Sequence, residues 1–256
     1  MGHLGRLPPA LRPPVRAPPA GDRRRVVHHQ LVRRLPSGPT TEHYRAATSG
    51  DSLQALTTSL ITAVGASLLA LTIGSWAALA AATLRRRGKW FLDGLFMLPV
   101  AVPSVVVGLA VLVAFSKPPM LLNGTRWIVI LAHTVLVTAF AYQSVSAATL
   151  RLDPMYEQAA ASLGARPAYV LWRIKLPLLL PSLTAAAGLC FALSMGELSA
   201  TMMLYPPDWT PLPVQIFAAT DRGSLFTGAA VAVVLMGTTL LVLLAVSRIR
   251  TRASYR

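Results

Sequence analysis

The sequence predicts an all-α membrane protein, a polytopic helical bundle with five visible transmembrane helices. Three observations carry this reading. Of 256 residues, 54% are hydrophobic and 13% charged, about half the charged share of an ordinary soluble domain, and the mean hydropathy is +0.55. Five apolar runs each reach the ~20 residues that a helix needs to cross the hydrocarbon core. Lys and Arg gather between these runs on alternate sides, as they do in short cytoplasmic loops.

The runs follow in order. Residues 56–84, 127–150 and 225–246 contain no Asp, Glu, Lys or Arg; residues 91–115 contain only Asp93, and residues 178–204 only Glu197. Backbone polar groups in lipid must pair internally, so each run is expected to be helical. Arg85, Arg86, Arg87 and Lys89 follow the first run, Arg151, Arg166, Arg173 and Lys175 surround the segment 151–177, and Arg248, Arg250, Arg252 and Arg256 end the chain. The opposite-side segments between runs are poorer, with Lys117 and Arg126 before the third run and Arg222 before the last. The first span therefore runs outside to inside, and residues 151–177 and the C-terminus are cytoplasmic. The expected division is 1–50 as a disordered Arg/Pro-rich segment, 51–248 as the transmembrane domain and 249–256 as a basic tail.

The loop 151–177 is punctuated like a helical hairpin. Asp153 suits an N-cap and Pro154 the first helical position. Glu157 adds negative charge to the first turn. Gly164 supplies a left-handed stop, and Pro167 starts a second short helix. Met155, Ala159 and Leu163 recur four apart on one face, and the alanines at 159–161 keep the helix thin. A helix lying on the membrane surface would anchor weakly with so little bulk. Docking into a groove of another protein fits better. Pro177 and Pro181 mark the start of the next span.

Glu197 is the outstanding candidate for a translocation path, with Ser194 and Thr201 beside it. It falls about 16 residues past Pro181, roughly 24 Å along a helix, and an ionisable group there is a functional-site hypothesis by default. The alternative is a structural hydrogen bond to a neighbouring helix or a partner. His133 and Gln143 are expected to make helix–helix hydrogen bonds. Pro99 and Pro103 are expected to kink the second span. Cys190, the one cysteine, reads as a small buried hydrophobe, and Asn123-Gly124-Thr125 as a turn. No metal-ligand spacing, phosphate loop or nucleophile–base constellation is visible, so no catalytic residue, metal or cofactor is assigned. The net charge of +15 is accounted for by cytoplasmic loops and the N-terminus, and no nucleic-acid role is inferred.

The pattern Ala159-Ala160, Gly164, nine residues, Ile174, one residue, Leu176-Pro177 resembles the EAA loop of permease subunits in binding-protein-dependent ABC importers. Gln158 stands where the family's loop has a glutamate, with Glu157 just before it. The stretch "MLPVAVPSVVVGLAVL" (97–112) resembles the family's proline-rich second span, and the likeness covers roughly residues 41–248. The resemblance implies an inner-membrane permease subunit of a type I importer. Its partners would be cytoplasmic ATP-binding subunits, a second permease subunit and an extracytoplasmic solute-binding protein, all in a lipid membrane. Glu157, Gln158, Ala159, Ala160, Gly164, Ile174, Leu176 and Pro177 would form the ATPase-coupling loop, and ATP hydrolysis would lie on the partners. "GELSATMMLYPPDWTPLPVQIF" (196–217) is most similar to permeases for 2-aminoethylphosphonate, with iron(III), thiamine, sulfate and molybdate permeases as relatives. A secondary carrier is the remoter alternative; it would use ion-coupling groups and inverted repeats.

Residues 1–50 carry nine arginines and eight prolines, which is unlike an exported segment, and no apolar core of a signal peptide. The resembled family usually has one more span upstream. Residues 1 to about 38 are therefore expected to be foreign to the rest, through a frameshift or misassigned start, with a first helix missing. A genuine five-span chain with a late-added head is the alternative.

Overall fold

The computed structural model describes residues 50–253, together with Arg45, Ala47 and Thr48. The expectations for the arginine-rich head and the missing first helix lie outside the described residues. All regular structure among those residues is helical. The helices are α1 (Asp51–Thr83), α2 (Arg86–Ala101), α3 (Ser104–Ala114), α4 (Arg126–Thr149), α5 (Pro154–Ser162) and α6 (Pro167–Val170). A π-turn (Leu171–Lys175) follows, then α7 (Leu176–Met195), α8 (Thr201–Leu204), α9 (Leu212–Asp221) and α10 (Leu225–Ala253).

Four stretches are long and apolar enough to cross a membrane, namely α1, α4, the continuous helix Pro167–Met195 and α10, and the pair α2–α3 makes a fifth if taken together. The large exposed side chains on their flanks, such as Ile61, Leu68, Leu109, Leu240 and Leu244, suit acyl chains as solvent.

The bundle is assembled on small residues. The buried positions of α1 are Ala, Gly, Ser and Thr, among them Ala63, Ala66, Ala70, Gly74 and Ala78. In lipid no hydrophobic force pulls helices together, and small side chains let backbones approach for dispersion contacts. At Gly74 a Cβ would lie 2.8 Å from the Tyr142 nitrogen of α4, so this crossing admits glycine alone. Ala70, Val137, Ala141 and Cys190 then join α1, α4 and α7 in one buried cluster.

The second span is more than kinked: α2 and α3 meet at 105°. Val102, just before Pro103, is extended (φ −105°, ψ 134°), because the proline ring disfavours helical backbone in the residue before it. α2 packs Leu92, Phe96 and Met97 on the cytoplasmic ends of α1 and α4, while Val107 and Val111 of α3 pack on Ile128, Val129 and Ala132 of α4.

The fourth span differs from the sequence expectation at both ends. The second short helix does not stop before the membrane; it runs through the π-turn into α7, with the Leu176 N–H donating to the Leu171 carbonyl. Pro177 has no N–H, and its ring crowds the carbonyl four residues back, so the wider turn carries the helix past it. At the other end α7 finishes at Met195, and Gly196–Ala200 are not helical. Glu197 thus lies in a break, not within a continuous helix to 204.

Candidate functional site

The hairpin at 153–167 is capped at both ends by short-range chemistry. Asp153 Oδ1 accepts from the Met155 N–H (2.9 Å), and Pro154 occupies the first turn. At the other end the Ala165 N–H donates to the Ala160 carbonyl (3.0 Å) and the Gly164 N–H to that of Ala161 (2.9 Å). This double bond is a Schellman motif, and it requires the φ of +78° that Gly164 adopts. Only Ala160 is buried in α5.

Met155, Tyr156 and Leu163 stand exposed, Leu163 to 88%, so α5 presents an exposed apolar face. Glu157 reaches back to the Lys175 Nζ (2.6 Å). Its carboxylate is 48% exposed, which makes the pair a weak brace. Gln158 is exposed and free of that pairing. Beneath the hairpin a hollow of about 680 Å³ opens between Trp76, Leu79 and Thr83 of α1 and Glu157, Gln158 and Lys175. Trp76 meets the Trp172 ring edge-on at 6.3 Å, tying α1 to the π-turn. Ile174 and Leu176 are half-buried there, and Pro177 is exposed.

The break after α7 is held both by distant groups and by its own residues. His133 of α4 is fully buried, with Nδ1 2.7 Å from Ser194 Oγ and Nε2 2.8 Å from Thr201 Oγ1. Thr201 donates its hydroxyl proton to the Glu197 carbonyl (3.0 Å), so it accepts from Nε2–H. Nδ1 is then left to accept from Ser194. A neutral imidazole thus satisfies every group, as burial demands. Glu197 is half-buried, and its Oε1 accepts from the Ala200 N–H (2.8 Å). Gly108 of α3 closes the other side, where a Cβ would come within 2.8 Å of the Ala200 Cα.

Ser194 and Thr201 are therefore buried behind the break, on His133, while Glu197 stands at its accessible edge. The helix–helix bond expected of His133 is present. Gln143 is exposed, and no helix–helix bond of its side chain is present among the described residues.

Beyond the break, the segment 205–215 is pinned to the outer end of α1. Trp209 Nε1 donates to Thr62 Oγ1 (3.1 Å), the Leu212 N–H to Ser59 Oγ (2.7 Å) and Gln215 Nε2 to the Asp51 carbonyl (3.0 Å). The Arg126 guanidinium lies 5.2 Å from the Trp127 ring centre and 5.7 Å from that of Trp209, within cation–π range. Among the described residues no group of three or more His, Cys, Asp or Glu is placed to hold a metal ion.

Spanning helices around a half-buried acid at a break, with a capped helix held out at one end, are the architecture of a transporter's membrane subunit, and the family match bears this out. The chain belongs to the family of binding-protein-dependent transport system inner membrane components, whose sequence pattern matches residues 70–253, and it is accordingly a multi-pass protein of the inner membrane. It is 50% identical over 222 residues to the 2-aminoethylphosphonate transport system permease protein PhnV of Salmonella typhimurium, covering 85% of this chain and 82% of that one. It is 31% identical over 187 residues to the spermidine/putrescine permease PotC of Escherichia coli, covering 73% and 70%. In fold it is similar to a chain of a bacterial ABC transporter that imports alginate (TM-score 0.69, 16% identity, 90% and 89% covered). It is also similar to a chain of the methionine ABC transporter MetNI in inward-facing conformations (TM-score 0.66, 16% identity, 78% and 95% covered).

Proposed function

We propose that this chain is the permease subunit of a type I ABC importer for 2-aminoethylphosphonate. The observation that carries the reading is the 50% identity, over 85% of this chain, to a Salmonella permease bearing that substrate's name. Residues 51–248 act as the transmembrane domain, paired with a second permease subunit. A solute-binding protein delivers the substrate outside, and ATP-binding subunits bind and hydrolyse ATP inside. The exposed apolar face of α5 supports docking there, with Glu157, Gln158, Ala159, Ala160 and Gly164 shaping the contact, and Ile174, Leu176 and Pro177 joining it to α7. ATP and the loaded binding protein favour different conformations, and that differential affinity drives alternating access.

Glu197 is assigned to the translocation path, where its carboxylate suits the substrate's ammonium group. Ser194 and Thr201 act from behind it, through His133. Uptake of radiolabelled 2-aminoethylphosphonate by cells lacking their own transporter, supplied with this chain and its partner subunits, tests the reading. Saturable uptake is expected, and Glu197→Gln should lower it at least tenfold with membrane insertion unchanged. Uptake of molybdate or a polyamine in its place would overturn the substrate; equal uptake by the Gln variant would remove Glu197 from the path.

A further inference from the structure

We infer that the start of α2 is a binding site for the phosphate headgroup of an anionic phospholipid in the cytoplasmic leaflet. Arg85, Arg86, Arg87 and Lys89 fall within five residues directly after α1. They lie at the end of α1 where Trp76 meets Trp172, the same side as the cytoplasmic hairpin. A hollow of about 590 Å³ is lined by Arg86, Arg87, Lys89, Trp90, Phe91 and Asp93, three cations to one carboxylate. That carboxylate is engaged, since Tyr142 of α4 donates its hydroxyl to Asp93. Among the described residues none of the four cations has an ion-pair partner.

Membrane orientation alone accounts for basic residues on this side. It does not account for where they sit. α2 has no acidic residue in its first turn, and its N-cap, Arg85, makes no side-chain cap. Cations crowd the positive end of the helix dipole, where they are unfavourable, and a bound anion relieves that repulsion. Nor does orientation require the rings beside them. Trp90 is 78% and Phe91 63% exposed, and no residue of α2 is buried. Aromatic rings belong at headgroup depth, and a basic cluster immediately cytoplasmic of a span attracts anionic lipid. Charge selects the phosphate, and the rings select one that carries acyl chains over a free ion. The site is independent of the transported solute.

The test is native mass spectrometry of the full chain, assembled with its partner subunits and released from membranes of mixed phosphatidylglycerol and phosphatidylcholine. Retention of phosphatidylglycerol over phosphatidylcholine is expected. The R86Q/R87Q/K89Q variant should lose that preference on the order of tenfold. A second variant, W90A/F91A, keeps every charge and hence the insertion signal, and should also retain less phosphatidylglycerol. Equal retention of both lipids by the parent, or unchanged preference in both variants, overturns the proposal. Displacement of the lipid by millimolar inorganic phosphate would make this a free-anion site. Loss of the ATP-binding subunit from the charge variant with lipid retention unchanged would make it a protein contact. Either result would also overturn the assignment.

Discussion

The hairpin at 153–167 and the break at 196–200 are both interruptions of helix, yet they are specified in opposite ways. In the hairpin both helix caps lie within five residues of the group they satisfy: Asp153 on Met155, and Ala165 on Ala160. In the break the decisive partner, His133, is 61 positions from Ser194 and 68 from Thr201. A local interruption is satisfied within its own segment. A long-range one exists only after α3, α4 and α7 have come together. The first keeps its bonds whatever its surroundings do, whereas the second keeps those to His133 only while the helices around it stay in place.

The largest effect should fall on the break. His133→Leu leaves the Ser194 and Thr201 hydroxyls without their buried partner, at a cost of about 2 to 4 kcal/mol. It should lower the thermal midpoint of the detergent-solubilised complex and abolish uptake, and His133→Gln should recover part of both. A Leu variant with an unchanged midpoint would mean that the break is set locally after all.

Gly164→Val should come next. Nothing lies within 4 Å of a Cβ built there, so the variant is penalised only by a φ of +78°, about 1 to 2 kcal/mol. Its expected signature is ATP hydrolysis that no longer follows transport, with assembly yield preserved. Coupled turnover in that variant would remove the hairpin's shape from the mechanism.

Asp153→Ala should be the mildest, since a lost N-cap costs about 1 kcal/mol and the cap lies in an exposed segment. A small fall in coupled turnover is expected, with uptake largely kept. A loss as large as that of His133→Leu would erase the contrast between the two regions.

What the sequence reveals follows the same division. Asp153, Pro154, Gly164 and Pro167 each carry a conformational preference of their own, and the hairpin could be read from them to within one residue. The break offers nothing comparable. Gly196–Ala200 read Gly-Glu-Leu-Ser-Ala, with no proline and no turn dipeptide, so the apolar run seemed to continue to 204. Besides the local bonds of Glu197 with Ala200 and Thr201, the break is held by His133 and by the tight face of Gly108, neither visible from position 196. The π-turn was hidden for a related reason: Pro177 ordinarily signals the start of a helix, and only the continuous backbone reveals that the helix widened to accept it. Pro103 was legible as a kink, but the 105° angle belongs to the packing of α2 and α3 on opposite halves of α4.

The continuity that the π-turn permits has a mechanical consequence. Pro167–Met195 is one rod of 29 residues, about 43 Å long at ~1.5 Å per residue. One end grows out of the hairpin, and the far end stops at Met195, two residues before Glu197. Were the chain jointed at Pro177, a push on the hairpin would be absorbed at the membrane surface. As an unjointed lever, tilted by about 5°, it carries its far tip through about 4 Å, comparable to the width of a small solute. The lever ends where helical hydrogen bonding ends, so the displacement is delivered to the five residues of the break.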